Sequence, residues 1–210
     1  MEVFSKTCVA VLAAGASRRF GAPKLLAPFA GSTLLDRAVA TVTGSAADCA
    51  AVVTGAYHRE MSEHLEGRGA AAGAPCRIVH NRQWEAGQAA SVHAAVRFAR
   101  AQGASALLVM VADQPRVTAA HLNALLWEYD QGSAQAYLSA TDHGHGNPCI
   151  FDESLFDDLL ALRGDEGARA LFRTRRDVAA RHVHFDDPYL FEDVDTPADL
   201  RRLEEAMARG

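Results

Sequence analysis

The sequence lacks the patterns that mark several common classes of protein. None of its four cysteines belongs to a CxxC pair, and Cys8, Cys49, Cys76 and Cys149 are scattered along the chain. This spacing indicates neither a zinc site nor a disulfide framework, so we expect reduced, mostly buried thiols in a cytoplasmic protein. No apolar run approaches the ~20 residues of a membrane-spanning helix. The opening MEVFSKT lacks the charged-then-apolar pattern of a secretory signal. We therefore expect no membrane partner.

Positive charge is also scarce. The chain has 21 Lys and Arg against 26 Asp and Glu, a formal net charge of -5. This balance excludes a general basic surface and argues against nucleic acid as a partner, so any anion site must be a local basic pocket. The 210 residues are 49% hydrophobic and 22% charged, as in ordinary globular proteins. We expect one domain over residues 1–210, with a full hydrophobic core.

The first buried strand is followed by neither the GxGxxG nor the Walker pattern. Residues 9–24, VAVLAAGASRRFGAPK, begin with a valine-rich apolar run, and Gly15 ends it. Glycine and alanine let a backbone approach a nucleotide closely, and Arg19 and Lys24 supply positive charge nearby. These features indicate a phosphate site. An ordinary turn with solvated arginines is equally compatible with this loop taken alone.

Buried strands alternate with amphipathic helices along the chain. This order predicts an α/β fold with a doubly wound, mostly parallel, Rossmann-like sheet. Residues 105–112, SALLVMVA, form the most apolar predicted strand and should be central. Residues 178–185 alternate in polarity and predict a late strand, which we expect to be antiparallel. Residues 67–75, GRGAAAGAP, predict a flexible connection.

Polar residues follow two of the predicted elements. Asp113 ends the central strand, where open α/β sheets bind ligands and where Mg²⁺ carboxylates commonly lie. Gly87, Gln88 and Ser91 open a helix predicted over residues 88–102, so unpaired N–H groups there can face a ligand. For this helix terminus an ordinary N-cap is the favoured interpretation.

Two further stretches have alternative interpretations. The segment DHGHGNP, residues 142–148, places His143 and His145 beside an acidic residue, which suggests zinc. Its glycines favour a mobile turn instead, because no third ligand has a suitable spacing. Asp195 precedes Thr196, and it is either part of a helix cap or a second metal ligand.

Several motifs occur together in a recognisable order. LAAGASRRFGAPKLL resembles the signature LAAGxSxRxGxxK of MobA-like nucleotidyltransferases, and VADQP, GNPCIF, GDEGAR and DVDTPADL follow at the expected intervals. The resemblance covers residues 9–203. Within the family, the combination is most similar to the molybdenum cofactor cytidylyltransferases. Guanylyl-transferring relatives tend to have LAGG where this chain has LAAG, which implies CTP as the nucleotide.

The resemblance implies a reaction and a set of site residues. The reaction joins the phosphate of molybdopterin to the α-phosphate of CTP with release of pyrophosphate, and an acceptor molybdoenzyme is a possible further partner. Arg19 and Lys24 would contact phosphate oxygens, and Asp113 and Asp195 would hold Mg²⁺. The substrate-binding residues implied are Leu12, Ala13, Ala14, Gly15, Ser17, Arg19, Lys24, Gly87, Gln88, Ser91 and Asn147. Asn147 and residues 165–169 would face the pterin.

Three alternatives to this function stay open. The first is a nucleotidyltransferase of the same fold with another nucleotide or acceptor, such as GTP or a sugar or polyol phosphate. The second is a non-catalytic protein that binds or delivers molybdenum cofactor. The third is a dehydrogenase, which the missing GxGxxG pattern disfavours.

Overall fold

A seven-stranded sheet forms the centre of the computed structural model, which describes residues 6–67 and 76–208. The strands of the described residues are β1 (Thr7–Ala13), β2 (Pro28–Phe29), β3 (Ser32–Thr33), β4 (Cys49–Thr54), β5 (Cys76–His80), β6 (Ala106–Val111), β7 (Ala136–Thr141), β8 (Gly144–Asp152) and β9 (Ala180–His184). The short strands β2 and β3 pair with each other outside the large sheet.

Helices connect these strands. They are α1 (Leu34–Thr43), α2 (His58–Gly67), α3 (Gln88–Ala101), α4 (Ala119–Gln131), α5 (Phe156–Ala161), α6 (Leu171–Thr174) and α7 (Pro197–Ala208). Thr33 caps α1 through a reciprocal pair of hydrogen bonds with Asp36, and Thr118 caps α4 through the same arrangement with His121.

The order of the strands is β5-β4-β1-β6-β8-β7-β9, so β6 is central as predicted. β1 is parallel to both of its neighbours, β4 and β6. The chain passes from β1 through α1 to β4 on one side, and later from β5 through α3 to β6 on the other. The reversal opens a crevice at the carboxyl ends of β1 and β6, the usual position of a ligand in such sheets.

Hydrophobic cores lie on both faces of the sheet. One core buries residues of α1, α2, α4 and α7, and the other buries residues of α3, α5 and α6. Val9 and Val11 of β1 face the first core, while Cys8 and Ala10 face the second. The doubly wound architecture with a mostly parallel sheet is thereby confirmed.

The direction predicted for the late strand is wrong. β9, within residues 178–185, is parallel to β7. The antiparallel strand of the sheet is β8, which pairs with β6 and with β7. Alternating polarity reports which face of a strand is buried and carries no information on direction. Direction follows from the connections: β8 returns from β7 through a tight hairpin, whereas β9 comes after α5 and α6.

The turn predicted over residues 142–148 is shorter than expected. β7 ends at Thr141 and β8 begins at Gly144, so the connecting residues are Asp142 and His143. The register shifts between Leu138 and Ser139 of β7, which leaves extra residues on β8 around Asn147. Glycines that suggested a mobile loop therefore serve a hairpin and an irregular strand pair.

The prediction that all four cysteines are reduced is wrong for one pair. Cys8 and Cys49 occupy opposed positions of β1 and β4 and form a disulfide, with their Cα atoms 4.7 Å apart. Their 41-residue separation along the sequence conceals this contact, because it depends on the register of two parallel strands. Cys76 and Cys149 are free thiols, and burial raises the pKa of Cys149 to about 12.

Two expectations concern the margins of the described chain. Among the helices of residues 6–67 and 76–208, none has the length and apolar character needed to cross a membrane. The predicted flexible connection over residues 67–75 begins at the last residue of α2, and its remainder lies outside the described residues.

Candidate active site

A cleft of about 670 Å³ lies at the carboxyl ends of β1 and β6. Its walls come from the loop after β1, the start of α3, the end of β6 and the loop before α7. The predicted site residues that line it are Leu12, Ala13, Ala14, Gly15, Ser17, Arg19, Lys24, Gly87, Gln88, Ser91, Asp113 and Asp195. Asn147 lines a second, adjoining cavity instead.

Residues that follow the neighbouring strand β4 fix the loop after β1 by hydrogen bonds and close packing. The N–H of Ala56 donates to the carbonyl of Ala14 at 3.2 Å, and the Tyr57 hydroxyl donates to the carbonyl of Ala16 at 3.2 Å. Gly55 packs directly on this loop, since a Cβ there would lie 2.6 Å from the Ala14 oxygen. Ser17 has a φ of 50°, a conformation that tightens the loop before the arginines.

Two cations and two carboxylates meet at one end of the cleft. The Lys24 ammonium lies 2.7 Å from Oδ2 of Asp113 and 3.7 Å from Oδ1 of Asp195. Arg19 makes a two-pronged contact with Asp195, with both nitrogen–oxygen distances at 2.9 Å. Lys24 also donates to the carbonyl of Val194 at 2.7 Å. We call Arg19, Lys24, Asp113 and Asp195 the charge quartet.

A buried amide joins the two segments that carry the carboxylates. Gln114 follows Asp113, and its Nε2 donates to the carbonyl of Phe191 at 3.1 Å and to Oδ1 of Asp193 at 2.9 Å. The N–H of Val194 donates to the carbonyl of Asp113 at 2.9 Å. Burial, reinforced by the negative charge of Asp113, raises the pKa of Asp193. The 191–195 segment is therefore fixed against the end of β6.

The start of α3 is packed against the segment that precedes α6. Gly87, at the N-cap position, has a φ of 101°, and a Cβ there would lie 2.3 Å from the carbonyl carbon of Gly164. The N–H of Ala89 donates to the Gly164 oxygen at 2.9 Å. The Ser91 hydroxyl accepts a hydrogen bond from Nδ2 of Asn81 at 3.1 Å. Gly87 is thus required both by its positive φ and by its close contact with the Gly164 backbone.

The second cavity, of about 220 Å³, adjoins the cleft. Leu12, Gln88 and Asp165 line both spaces. Beyond this boundary the smaller cavity is lined by Asn147 and by two arginines, which are Arg169 and Arg173. Arg169 also donates to the carbonyl of His145 on β8 at 2.6 Å. The arrangement offers hydrogen-bond donors and positive charge next to the cleft.

Residues 9–183 match the model of the MobA-like NTP transferase domain. This match spans most of the chain, from β1 to β9. The chain belongs to the MobA-like NTP transferase family. The resemblance of its motifs to that family is thereby confirmed, and a nucleotidyltransferase fold accounts for the cleft at the crevice of the sheet.

Several known proteins are similar to the chain over nearly its full length. The purine catabolism protein PucB of Bacillus subtilis is 33% identical over 208 residues, 94% of this chain and 95% of PucB. Nicotine blue oxidoreductase of Paenarthrobacter nicotinovorans is 31% identical over 202 residues, 92% of this chain and 94% of the relative. The structure of a nucleotidyl transferase from Methanothermobacter superposes with a TM-score of 0.79 at 25% identity, covering 97% and 98% of the two chains.

The MobA-like motifs predict the residues of the charge quartet but not their contacts with one another. The sequence interpretation assigned the cations to phosphate and the carboxylates to metal, whereas in the structure each cation contacts a carboxylate. Thr196, and not Asp195, accepts the hydrogen bond from the N–H of Asp199 at the start of α7. The Asp195 side chain therefore does not cap α7.

Several cleft residues lie outside the predicted set. Arg18 and Glu85 line the cleft, and Arg173 lines the second cavity. Arg18 lies within the recognised loop, so its position was available from the sequence. Arg173 lies four residues after Arg169, a spacing that places two side chains on one side of a helical turn. The histidines of the hairpin lie elsewhere: the His145 ring stacks on His182 with centroids 4.3 Å apart.

Proposed function

We propose that the protein transfers the cytidylyl group of CTP to the phosphate of molybdopterin and releases pyrophosphate. The observation that carries the proposal is the charge quartet at the crevice of the sheet. Phosphoryl transfer needs positioning and charge neutralisation more than a covalent nucleophile. A site with two cations and two carboxylates supplies both.

In this proposal, different side chains bind the nucleotide and the acceptor. Arg19 and Lys24 bind the triphosphate oxygens and orient the α-phosphate, while the backbone of residues 13–17 approaches the nucleotide closely. No residue has to act as a general base, because the phosphate of the acceptor is ionised at neutral pH. The cavity lined by Asn147, Arg169 and Arg173 holds the remainder of the acceptor.

The carboxylates of Asp113 and Asp195 suit a divalent cation. Both are partly exposed to the cleft, with side chains 25% and 33% accessible, and both reach the same ammonium group. Mg²⁺ binds through one or two carboxylates plus substrate phosphates, which this pair of oxygen donors fits. When bound, Mg²⁺ would offset the negative charge of the triphosphate during transfer. A cytoplasmic location and a molybdoenzyme that receives the product are predictions that accompany this proposal.

The choice of CTP rests on the residues of the loop, Leu12-Ala13-Ala14-Gly15. Calorimetric titration with CTP, GTP, ATP and UTP, each with and without Mg²⁺, tests it. We expect Mg²⁺-dependent binding that favours CTP. A preference for GTP would instead support guanylyl transfer, and a preference for UTP or ATP would favour a sugar or polyol phosphate as the acceptor. Absence of binding by all four would favour a protein that delivers molybdenum cofactor.

An oxidoreductase is a second candidate, because one relative at 31% identity is named nicotine blue oxidoreductase. The charge quartet argues against this candidate, since hydride transfer has no need of two carboxylates beside two cations. Oxidation of NADH or NADPH, followed by absorbance with quinoid dyes as acceptors, separates the candidates. We expect no turnover above the rate without protein.

A further inference from the structure

The four members of the charge quartet neutralise one another. Two positive and two negative side chains sum to zero formal charge, and every member contacts a partner of opposite sign at 2.9 Å or less. The Lys24 side chain is only 12% exposed, so its ammonium depends on Asp113 and on the Val194 carbonyl for compensation. The Arg19 side chain is 74% exposed and can leave Asp195 with little loss of packing.

These ion pairs weaken the binding of a divalent cation without nucleotide and of a nucleotide without the cation. A cation that takes the oxygens of Asp113 and Asp195 must displace Lys24, and the displaced ammonium then lacks a carboxylate partner in a partly buried position. A triphosphate that draws Arg19 and Lys24 away leaves two carboxylates without counter-ions beside a polyanion. Each single binding event therefore breaks ion pairs and creates a net charge of one sign.

Binding of both ligands together removes the conflict. The cation replaces Lys24 and Arg19 at the carboxylates, and the phosphates replace the carboxylates at Lys24 and Arg19. Every member of the charge quartet then has a partner of opposite sign. The loop before α7 has to move little, because Gln114 and the Val194 N–H hold it to the end of β6 independently of the quartet.

We propose that the charge quartet is an autoinhibitory set of ion pairs that makes divalent metal and nucleotide binding mutually dependent. The inference rests on the proposed function, since it assigns a nucleotide and a metal to this cleft. Coupling of this kind is reciprocal: bound nucleotide raises the affinity for the metal by the same factor by which bound metal raises the affinity for nucleotide. Lys24 is the principal hindrance because it contacts both carboxylates.

Titration of the protein alone with Mn²⁺, followed by the electron paramagnetic resonance signal of the free ion, tests the proposal. Lys24→Met keeps the apolar stem and removes the charge, and we expect it to tighten Mn²⁺ binding on the order of tenfold, within the usual range for coupled sites. Arg18→Met is the charge-matched control. Arg18 lines the cleft and has no ion pair with Asp113 or Asp195 in the described structure, so its loss should change the affinity less than twofold.

A second variant covers the case in which Lys24→Met does not fold. Arg19→Met alters an exposed side chain, and we expect it to tighten Mn²⁺ binding severalfold by releasing Asp195. Mn²⁺ affinity that stays unchanged or falls in the folded variants would overturn the proposal. The nucleotide titrations test the proposed function separately. If CTP binds to the wild-type protein but the variants keep the wild-type Mn²⁺ affinity, only the proposed coupling is refuted. Absence of nucleotide binding refutes the proposed function.

Discussion

Lys24 makes three contacts through one ammonium group, with two carboxylates and a backbone carbonyl. Its partners Asp113 and Val194 are 89 and 170 residues away in the sequence. At the scale of single residues, the cleft therefore depends on side chains from three separate segments. Each of these side chains is amenable to a substitution that keeps its shape and removes its charge.

Asp113→Asn and Asp195→Asn should each leave a folded protein with little transfer activity. An amide is a poorer ligand for a divalent cation than a carboxylate, and it leaves Lys24 or Arg19 with a weaker partner. We expect the rate of pyrophosphate release to fall on the order of 10²-fold or more, the loss typical of an electrostatic group at a reacting centre. The measurement is a coupled pyrophosphate assay at saturating Mg²⁺.

The control for both substitutions is Asp186→Asn, at an exposed position outside the cleft. It removes the same formal charge and should retain the wild-type rate. Near-wild-type turnover in both Asp113→Asn and Asp195→Asn would refute the assignment of metal ligands.

The identities of these residues could be predicted from the sequence, but their mutual contacts could not. Arg19 and Lys24 belong to one local motif, and Asp113 follows the most apolar strand. The pairing of Arg19 with Asp195, 176 residues apart, depends on where the last loop crosses the sheet. Gln114 is buried by the same crossing, and nothing in its local sequence indicates that it joins two loops.

At the scale of elements, α3 depends on the backbone of Gly87. Its positive φ disfavours any side chain, and Gly164 occupies the space in which a Cβ would lie. The two cavities meet at this contact, because Gln88 and Asp165 flank it and line both. Displacing either segment therefore alters both cavities together.

Gly87→Ala should destabilise the protein by more than 2 kcal/mol, since strain at positive φ adds to overpacking against backbone, each ~1 to 3 kcal/mol. Gly103→Ala provides the matched control. Gly103 also has a positive φ, of 67°, but nothing lies within 4 Å of its Cβ position. It should lose only ~1 kcal/mol. Urea unfolding measures both, and equal losses would contradict the close contact at Gly87.

The cap of α4 predicts a dependence of stability on pH. Nδ1 of His121 accepts hydrogen bonds from the Thr118 N–H at 3.0 Å and pairs with the Thr118 hydroxyl at 2.9 Å, which requires a ring without a proton on Nδ1. Burial lowers the pKa of His121 below its usual value. The folded state therefore favours the neutral ring. The neutral ring contributes fully to stability above the pKa that His121 has in the unfolded chain. This contribution is lost as pH falls through the lower pKa of His121 in the folded protein.

His121→Gln should retain the cap at neutral pH, because glutamine at this position can accept the same hydrogen bond. Between about pH 7.5 and about pH 5 we expect the free energy of unfolding to fall less in this variant than in the wild type. The difference between the two losses should be on the order of 1 kcal/mol, the usual value of a helix cap. The exposed His143→Gln serves as control and should keep the wild-type slope. An identical slope in all three proteins would contradict the role of His121.

At the scale of the whole molecule, the alternation of strands and helices suffices to predict the doubly wound sheet. The alternation does not predict how the strands β8, β7 and β9 pair at one edge of the sheet. β9 is parallel to β7 where an antiparallel strand was predicted, and the disulfide between Cys8 and Cys49 follows from a register that neither local sequence reveals. Contacts along the chain are encoded locally, whereas contacts across the sheet depend on its strand order.

The proposed transfer of a cytidylyl group from CTP to the phosphate of molybdopterin can be followed directly. The most direct test supplies molybdopterin and CTP labelled at the α-phosphate, with Mg²⁺, and follows the label by chromatography. We predict label on the pterin product in wild-type protein and almost none with Asp113→Asn. Label that stays on CTP or free CMP, although CTP binds, would contradict the proposed transfer.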